Sequence, residues 1–176
     1  PFRTGLLCTA KFDLHYSENR KAQPRVYRAK ASMKDVDQNH NRAKNYVLDS
    51  KRPYLHGLGV TSNKGDVLKK HYGKFRQIAN FVEIIDRDIG TFVAEAETPI
   101  SMLDLGCGKG YLTFATYDYV RSRAQHEPRA RGIDIKTNVI DLCNGLADRL
   151  DFSGLEFQNA RIQPSKAQDV DILIAL

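Results

Sequence analysis

The spacing best suited to chemistry in this sequence is a run of alternating glycines that follows a short apolar segment. Asp104 is followed by Gly106, Gly108 and Gly110, and residues 100–105 have the composition of a buried strand. Glycines at alternate positions allow unusual backbone angles and keep side chains away from a ligand that lies on the loop. A helix that begins after such a loop offers free N–H groups and the positive end of its dipole. The run therefore predicts a backbone cradle for an anionic or zwitterionic ligand at the carboxyl end of a strand.

Two common phosphate-binding loops do not fit this run. A dinucleotide-binding loop requires Gly-x-Gly-x-x-Gly, and Tyr111 stands where its third glycine would be. A P-loop requires Gly-x-x-x-x-Gly-Lys followed by Ser or Thr. Lys109 does follow Gly108, but Leu103 and Gly110 occupy the first glycine position and the hydroxyl position. The P-loop interpretation therefore fails. A nucleotide-dependent oxidoreductase is kept as a third, less favoured function.

The glycine run resembles the first motif of the class I (Rossmann-like) S-adenosylmethionine-dependent methyltransferases, which has the form Asp-x-Gly-x-Gly-x-Gly. Asp104, Gly106, Gly108 and Gly110 match every defined position of that motif. In that family a second strand ends in an acidic residue that binds the ribose hydroxyls, and Asp134 stands at this position. A carboxylate can accept two hydroxyl donors at once, which would fix the sugar. The resemblance implies a methyl-transferring enzyme with S-adenosyl-L-methionine as its cofactor.

The resemblance also implies a role for each residue around the loop. Asp104 would orient the loop or reach the methionine amino group through water, and Gly106 and Gly108 would line the methionyl part. Gly110 would let the helix begin close by, and Ile135 would flank the adenine or the sugar. The predicted cofactor-binding residues are Asp104, Gly106, Cys107, Gly108, Gly110, Asp134, Ile135 and Asn159. For Cys107 two interpretations stay open: a thiol whose pKa is lowered at a helix start, or a side chain that fills a small space.

One position departs from the family pattern. Members often carry an acid after the third strand that accepts a hydrogen bond from the adenine amino group, and Arg161 replaces it here. Asn159 or Gln158 could accept that hydrogen bond instead.

A narrower resemblance links the chain to a mostly bacterial group of methyltransferase domains whose substrate is not settled. It spans roughly residues 40–176 and is carried by residues 52–60, 75–78, 108–115 and 117–119. A complete domain of the class has seven strands, whereas this sequence supplies about four. We therefore expect the chain to be part of a longer protein. Substrate-facing residues normally lie beyond the fourth strand, so no catalytic residue is assigned.

The periodicity predicts an α/β fold in three regions. Residues 1–35 form a β-hairpin region, in which residues 6–16 and 25–31 alternate as two antiparallel strands. Residues 36–98 form a basic connecting and helical region with an amphipathic helix at 74–89. Residues 99–176 form the first half of a methyltransferase domain, in which strands and helices alternate as in a parallel sheet. About four parallel strands are expected, at 100–105, 130–135, 155–162 and 170–176.

The charge distribution is asymmetric and suggests a polyanionic partner. Residues 1–80 hold 17 Lys and Arg against 6 Asp and Glu, whereas residues 81–176 hold 10 against 15. RNA contact through residues 1–80 is therefore predicted, with RNA favoured over protein as the methyl acceptor. The alternative is a non-catalytic nucleic-acid-binding protein with a methyltransferase-like fold.

A basic cluster and the cysteines complete the expectations from sequence. The candidates for a phosphate-facing surface are Lys69, Lys70, Lys74 and Arg76. Three widely spaced cysteines predict neither disulfides nor a metal site. No membrane segment is recognised, so a reducing cytoplasmic location is the expectation.

Overall fold

The computed structural model describes residues 4–9, 11–19, 22–31, 46–162 and 170–175. The chain divides into two compact units, residues 1–44 and residues 45–176. No helix in these described ranges combines the length and the apolar character that crossing a membrane requires. The same ranges hold no group of three or more His, Cys, Asp and Glu side chains placed to bind a metal ion.

The first unit contains a three-stranded antiparallel sheet in the order β1-β2-β3. Its strands are β1 (Thr4–Cys8), β2 (Phe12–Asn19) and β3 (Ala22–Lys30). The predicted single strand at 6–16 is wrong, because the chain reverses after Cys8. The Thr9 hydroxyl accepts hydrogen bonds from the N–H groups of Lys11 and Phe12, and this local pairing forms a turn in place of a continuing strand.

This reversal also changes which side chains share a face of the sheet. Leu6 pairs with His15, and His15 pairs with Tyr27, so these three residues lie on one face. The rings of His15 and Tyr27 stack with their centroids 4.8 Å apart. Leu7 and Leu14 pair on the opposite face. A single strand over 6–16 would place Leu6 and Leu14 on the same face. In the structure the two leucines lie on opposite faces.

The second unit is a parallel sheet with helices, in the order β6-β5-β4-β7. Its elements are α1 (Pro53–Gly57), a short 3-10 helix (Lys69–His71), α2 (Tyr72–Glu95), β4 (Ser101–Leu105), α3 (Tyr111–Arg121), β5 (Arg129–Asp134), α4 (Thr137–Arg149), β6 (Leu155–Asn159) and β7 (Ile172–Ala175). In chain order these strands stand third, second, first and fourth, which is the arrangement of a doubly wound nucleotide-binding sheet. The predicted α/β class with four parallel strands is confirmed.

Helix α2 is longer than its sequence pattern predicts. The predicted helix at 74–89 ends at Ile89, but the helix continues to Glu95. Val93 lies one turn beyond Ile89 and is fully buried, so the apolar stripe extends across Gly90. Burial of that side chain offsets the low helix propensity of glycine.

Helix α3 lies at the centre of the core and fixes the start of the glycine loop. Phe114 is fully buried, and its ring contacts those of Tyr54 and Phe157 at centroid distances of 6.3 and 5.2 Å. Tyr117 is also buried; its hydroxyl donates to Glu127 and accepts the Gly154 N–H. Tyr117 therefore packs in the core and positions the start of β6.

Helix α1 is anchored to α3 by the charged residue that precedes it. The Arg52 guanidinium lies 3.4 Å from the Asp118 carboxylate, while Pro53 occupies the first turn, where its missing N–H costs nothing. Gly57, at the end of α1, packs against α4. A Cβ on Gly57 would come within 2.3 Å of the Leu146 side chain. This close approach explains a glycine at the end of such a short helix.

Candidate functional site

The glycine loop runs from the end of β4 to the start of α3 with three residues in the left-handed region. The φ angles of Gly106, Gly108 and Gly110 are 81°, 51° and 69°. The N–H groups of Gly106 and Cys107 both donate to the Ile133 carbonyl, at 2.8 and 3.0 Å. The loop is therefore held against the end of β5 by its main chain.

The three loop glycines serve two different purposes. A Cβ on Gly110 would lie 3.0 Å from the Phe157 ring and 3.1 Å from that of Phe114, so packing alone requires glycine there. Among the described residues, a Cβ on Gly108 would meet no atom within 4 Å, and one on Gly106 would meet only Ile162, at 3.9 Å. Gly106 and Gly108 thus leave open a bare surface that the packing of the protein does not require.

Asp134 lies at the end of β5 with its carboxylate against the loop. Its Oδ2 accepts the Gly108 N–H at 3.0 Å, and its Oδ1 accepts the Lys136 N–H at 3.0 Å. Each carboxylate oxygen has a second lone pair for another donor. A negatively charged acceptor is therefore fixed at the edge of the bare surface.

Asp104 lies beneath the loop and is almost completely buried, with 5% of its surface exposed. The Thr113 hydroxyl of α3 donates to its Oδ2 at 2.6 Å. The pKa of Asp104 is raised overall. Burial is the largest cause and the nearby Asp134 charge adds to it, while the Thr113 hydrogen bond acts in the opposite direction. These contacts support the interpretation of Asp104 as the residue that orients the loop, by joining β4 to α3.

The two cysteines near the loop are packed against it. Cys107 Sγ lies 3.0 Å from the position of a Cβ on Gly132, and it donates to the Gly108 carbonyl at 3.8 Å. Burial raises the pKa of Cys107 to about 12 and that of Cys143 to about 11. The hypothesis of a lowered thiol pKa at Cys107 is therefore wrong, because burial and the nearby Asp104 charge both raise that pKa.

Side chains beyond β5 and β6 border the open surface. Ile135 is 67% exposed, and Asn159 donates from Nδ2 to the Asp134 carbonyl at 3.4 Å, which leaves its Oδ1 as an acceptor. Ile162 was not predicted from the sequence; it is 53% exposed, and its Cδ1 lies 3.9 Å from where a Cβ on Gly106 would be. The available signal was an apolar residue after β6 with polar neighbours on both sides.

Gln158 donates to Glu156 at 3.3 Å, and Arg161 is exposed.

The predicted site residues are brought together by these contacts into one place. The loop is bonded to Ile133, Asp134 to the loop, and Asn159 to Asp134. The arrangement is a main-chain cradle with a carboxylate at its edge and the exposed Ile162 near Gly106. Such a site can hold a polar ligand that also carries hydroxyl groups and an apolar ring.

Comparison with known proteins assigns the family. The model of a family described as a methyltransferase domain matches residues 73–176, from the first turn of α2 to the end of the chain. The chain belongs to this family. Its fold is that of the class I S-adenosylmethionine-dependent methyltransferases, as the glycine motif implied, and the cofactor of that class is S-adenosyl-L-methionine. No curated protein matches the chain.

Solved structures similar to this methyltransferase domain include enzymes with unrelated acceptors. Coclaurine N-methyltransferase bound to N-methylheliamine and SAH is 19% identical, with 55% of this chain and 27% of that chain covered and a TM-score of 0.41. A dimethyladenosine transferase from Plasmodium falciparum is 21% identical, with 53% and 31% covered and a TM-score of 0.38. A SAM-dependent methyltransferase from Agrobacterium tumefaciens is 10% identical, with 54% and 31% covered and a TM-score of 0.40. The chain thus spans less than a third of the length of each of these structures.

Proposed function

We propose that the glycine loop of this methyltransferase domain binds S-adenosyl-L-methionine and that the methyl acceptor is RNA. The observation that carries the cofactor part is the Asp134 carboxylate, which is bonded to the Gly108 N–H at the edge of a surface that no side chain of the described residues fills. That carboxylate and that surface come from different strands, and a ligand with both a zwitterionic part and a ribose requires both.

The residues around the loop fit each part of the cofactor. The main chain of Gly106 and Gly108 would hold the methionyl part, and Asp134 would accept the ribose hydroxyls. Ile135 and Ile162 would provide apolar contact for the adenine: both are exposed, Ile162 lies near Gly106, and Ile135 directly follows Asp134. Asn159 Oδ1 replaces the missing acid as the acceptor for the adenine amino group.

The bound cofactor would supply a methyl group on a positively charged sulfur. Methyl transfer from sulfur is an in-line displacement, in which positioning can provide much of the acceleration. The residues described here contribute to that positioning: Asp104 fixes the loop through Thr113, and Asp134 fixes the ligand edge. The residue that removes a proton from the acceptor is not among them.

The proposal of RNA as the acceptor rests on charge. Residues 1–80 carry 17 Lys and Arg against 6 Asp and Glu, although the whole chain has a net charge of only +6. A phosphate backbone attracts such an excess without sequence specificity. A protein acceptor would not require it.

Calorimetry with S-adenosylhomocysteine tests the cofactor site. We expect the Asp134→Ala variant to bind at least about tenfold more weakly, or about 1.4 kcal/mol, because the sugar loses a charged acceptor. The matched control is Asp141→Ala, which removes an exposed carboxylate of α4 and should leave affinity unchanged. Equal affinities for parent and Asp134→Ala would refute the assignment.

The same titrations distinguish the alternatives. Binding of a nicotinamide dinucleotide instead of S-adenosylhomocysteine would favour an oxidoreductase. RNA binding with a steep salt dependence and no cofactor uptake would favour a non-catalytic RNA-binding protein. That second candidate is motivated by Arg161, which is exposed where the family often has an acid.

A further inference from the structure

Two adjoining cavities lie between α1 and α4. The larger, about 410 Å³, extends to the turn at residues 62–65, and the smaller, about 190 Å³, extends to Lys109 of the glycine loop. Both are lined by Gly57, Leu146 and Arg149, so they form one continuous depression. We call it the α1–α4 groove. It leads from the outer side of the cofactor loop across the surface of α4.

The lining of the groove carries only positive charge. Lys51, Lys64 and Arg149 line the larger cavity and Lys109 lines the smaller, and no Asp or Glu among the described residues lines either. In the part of the chain that the structure describes, none of these four cations forms an ion pair with a carboxylate. By contrast, Arg52 pairs with Asp118, and four further arginines of this unit are paired.

The carboxylates nearest in sequence to Lys51 and Lys64 are already bonded. Asp49 accepts the main-chain N–H of Lys51 at 2.9 Å, and Asp66 accepts the Ser62 hydroxyl at 3.3 Å. Neither lines the groove, and neither do Asp148 and Asp151, the carboxylates nearest in sequence to Arg149. The field inside the groove therefore favours an anion.

The floor of the groove is apolar, and part of its wall is polar but uncharged. Val139, Leu142 and Leu146 of α4 form the floor, and Leu142 is 69% exposed. His56 and Ser62 line the wall; His56 donates from Nδ1 to the Thr61 carbonyl at 3.3 Å, which leaves Nε2 for another partner. A strand of RNA has matching groups for each part of this lining. Its phosphates can contact the cations, its 2′-hydroxyls the neutral polar groups, and its bases the nonpolar surface.

We infer that the α1–α4 groove binds single-stranded RNA, with phosphates at Lys51, Lys64 and Arg149 and bases over the leucine floor. This inference rests on the proposed function, since it places the RNA that carries the acceptor along a track that starts at Lys109. It also differs from the sequence-based expectation, which placed the phosphate-facing surface at the cluster Lys69, Lys70, Lys74 and Arg76.

Fluorescence anisotropy with a labelled 12-nucleotide single-stranded RNA tests the inference on the whole 176-residue chain. The test variant combines Lys51→Gln, Lys64→Gln and Arg149→Gln, all at exposed positions. The control variant combines Lys69→Gln, Lys70→Gln and Arg76→Gln, which likewise removes two lysines and one arginine, from exposed positions outside the groove. Lys109 stays unchanged because it belongs to the cofactor loop.

We expect the groove variant to bind RNA at least about tenfold more weakly, with a salt slope lower by about 2, as the loss of three phosphate contacts predicts. The control variant should keep the parent slope. A second variant, Leu142→Asp, places a carboxylate on the floor and should weaken binding in the same direction. Parental affinity in both groove variants, or a larger loss in the control variant, would overturn the inference.

Two further measurements separate this inference from the proposed function. S-adenosylhomocysteine titrations should give equal affinities for the parent and both triple variants, because the groove lies outside the cradle. If the parent does not bind S-adenosylhomocysteine, the proposed function is refuted. The RNA affinities of the parent and the variants can still be compared in that case. Displacement of RNA by an equally charged polyglutamate at the same concentration would assign the groove to acidic peptides and overturn the choice of RNA.

Discussion

Asp134 and Gly108 are joined across the edge of the parallel sheet by a hydrogen bond of 3.0 Å from the glycine N–H to Oδ2. The same carboxylate accepts the Lys136 N–H with its other oxygen. Strand β5 thereby holds the loop that follows β4, without any ligand. The acceptor that a ribose would use is thus already aligned by two main-chain donors.

Replacing Asp134 by alanine should loosen the ligand-free loop. We expect amide hydrogen exchange at Gly108 and Lys136 to become about tenfold faster, since each N–H loses a charge-assisted hydrogen bond worth about 1.5 kcal/mol. Exchange measured by mass spectrometry with peptide resolution, or by NMR, gives the rates. Asp141→Ala is the control. Unchanged protection at both amides would show that the loop is held by other contacts.

Alanine at Gly108 should mainly weaken ligand binding, whereas alanine at Gly110 should mainly lower stability. Gly108→Ala should lower the free energy of unfolding by only about 1 kcal/mol, the cost of a left-handed backbone, because its Cβ meets open space. It should nevertheless weaken S-adenosylhomocysteine binding by more than about tenfold, because the Cβ projects from the cradle. Gly110→Ala should cost about 2 to 3 kcal/mol of stability, since Phe157 and Phe114 must also move.

Urea unfolding and calorimetry on the two glycine variants provide these numbers. The contrast between them is the informative quantity, because both positions have positive φ. A Gly108→Ala variant that binds the ligand as the parent does would mean that the ligand lies elsewhere.

The buried carboxyl of Asp104 should make stability depend on pH. Burial raises its pKa in the folded protein, so its protonated form is favoured there. Its contribution to stability is fully present below the unfolded pKa and is lost as the pH rises through the folded pKa. The stability of Asp104→Asn relative to the parent should therefore increase as the pH rises above about 4.

Urea unfolding at several pH values measures this difference. Thr113→Val is the second variant: it removes the hydroxyl that lowers the Asp104 pKa, and it should shift the pH-dependent loss of stability to higher pH. A constant difference between parent and Asp104→Asn from acid to neutral pH would contradict the prediction.

The cysteines beside the loop should react slowly with alkylating reagents at neutral pH. Because the thiolate is the nucleophile, and the pKa is raised to about 12 at Cys107 and about 11 at Cys143, their alkylation rates should rise about tenfold per pH unit between 7 and 10. Mass spectrometry of iodoacetamide-treated peptides gives each rate separately. A rate at Cys107 that levels off below pH 9 would indicate an ordinary or lowered pKa.

The family, and the meeting of Asp134 with the glycine loop, could be predicted from local sequence. Asp104, the three glycines and Asp134 lie where a strand ends and a helix starts, and parallel strands bring their carboxyl ends to one edge. The strand and helix that carry the glycine loop follow from the apolar run before it and the periodic residues after it. Those features need only short-range pattern, so the sequence was sufficient for them.

Short-range pattern was insufficient wherever a long-range contact or a turn decides the outcome. Alternation through residues 6–16 continues across the turn at Thr9, because a period of two does not record a reversal of direction. The end of α2 depends on the burial of Val93, and Ile162 becomes part of the site only because it lies beside Gly106.

The sequence by itself determined the glycine cradle, the carboxylate partner and the parallel sheet, because each is written in the spacing of neighbouring residues. Tertiary structure alone decided that Cys107 is a packed thiol of raised pKa, that Gly110 serves packing while Gly108 faces open space, and that Lys51, Lys64 and Arg149 share a groove. These outcomes depend on desolvation and on distances between segments far apart in the chain. Neither quantity is contained in any local pattern of residues.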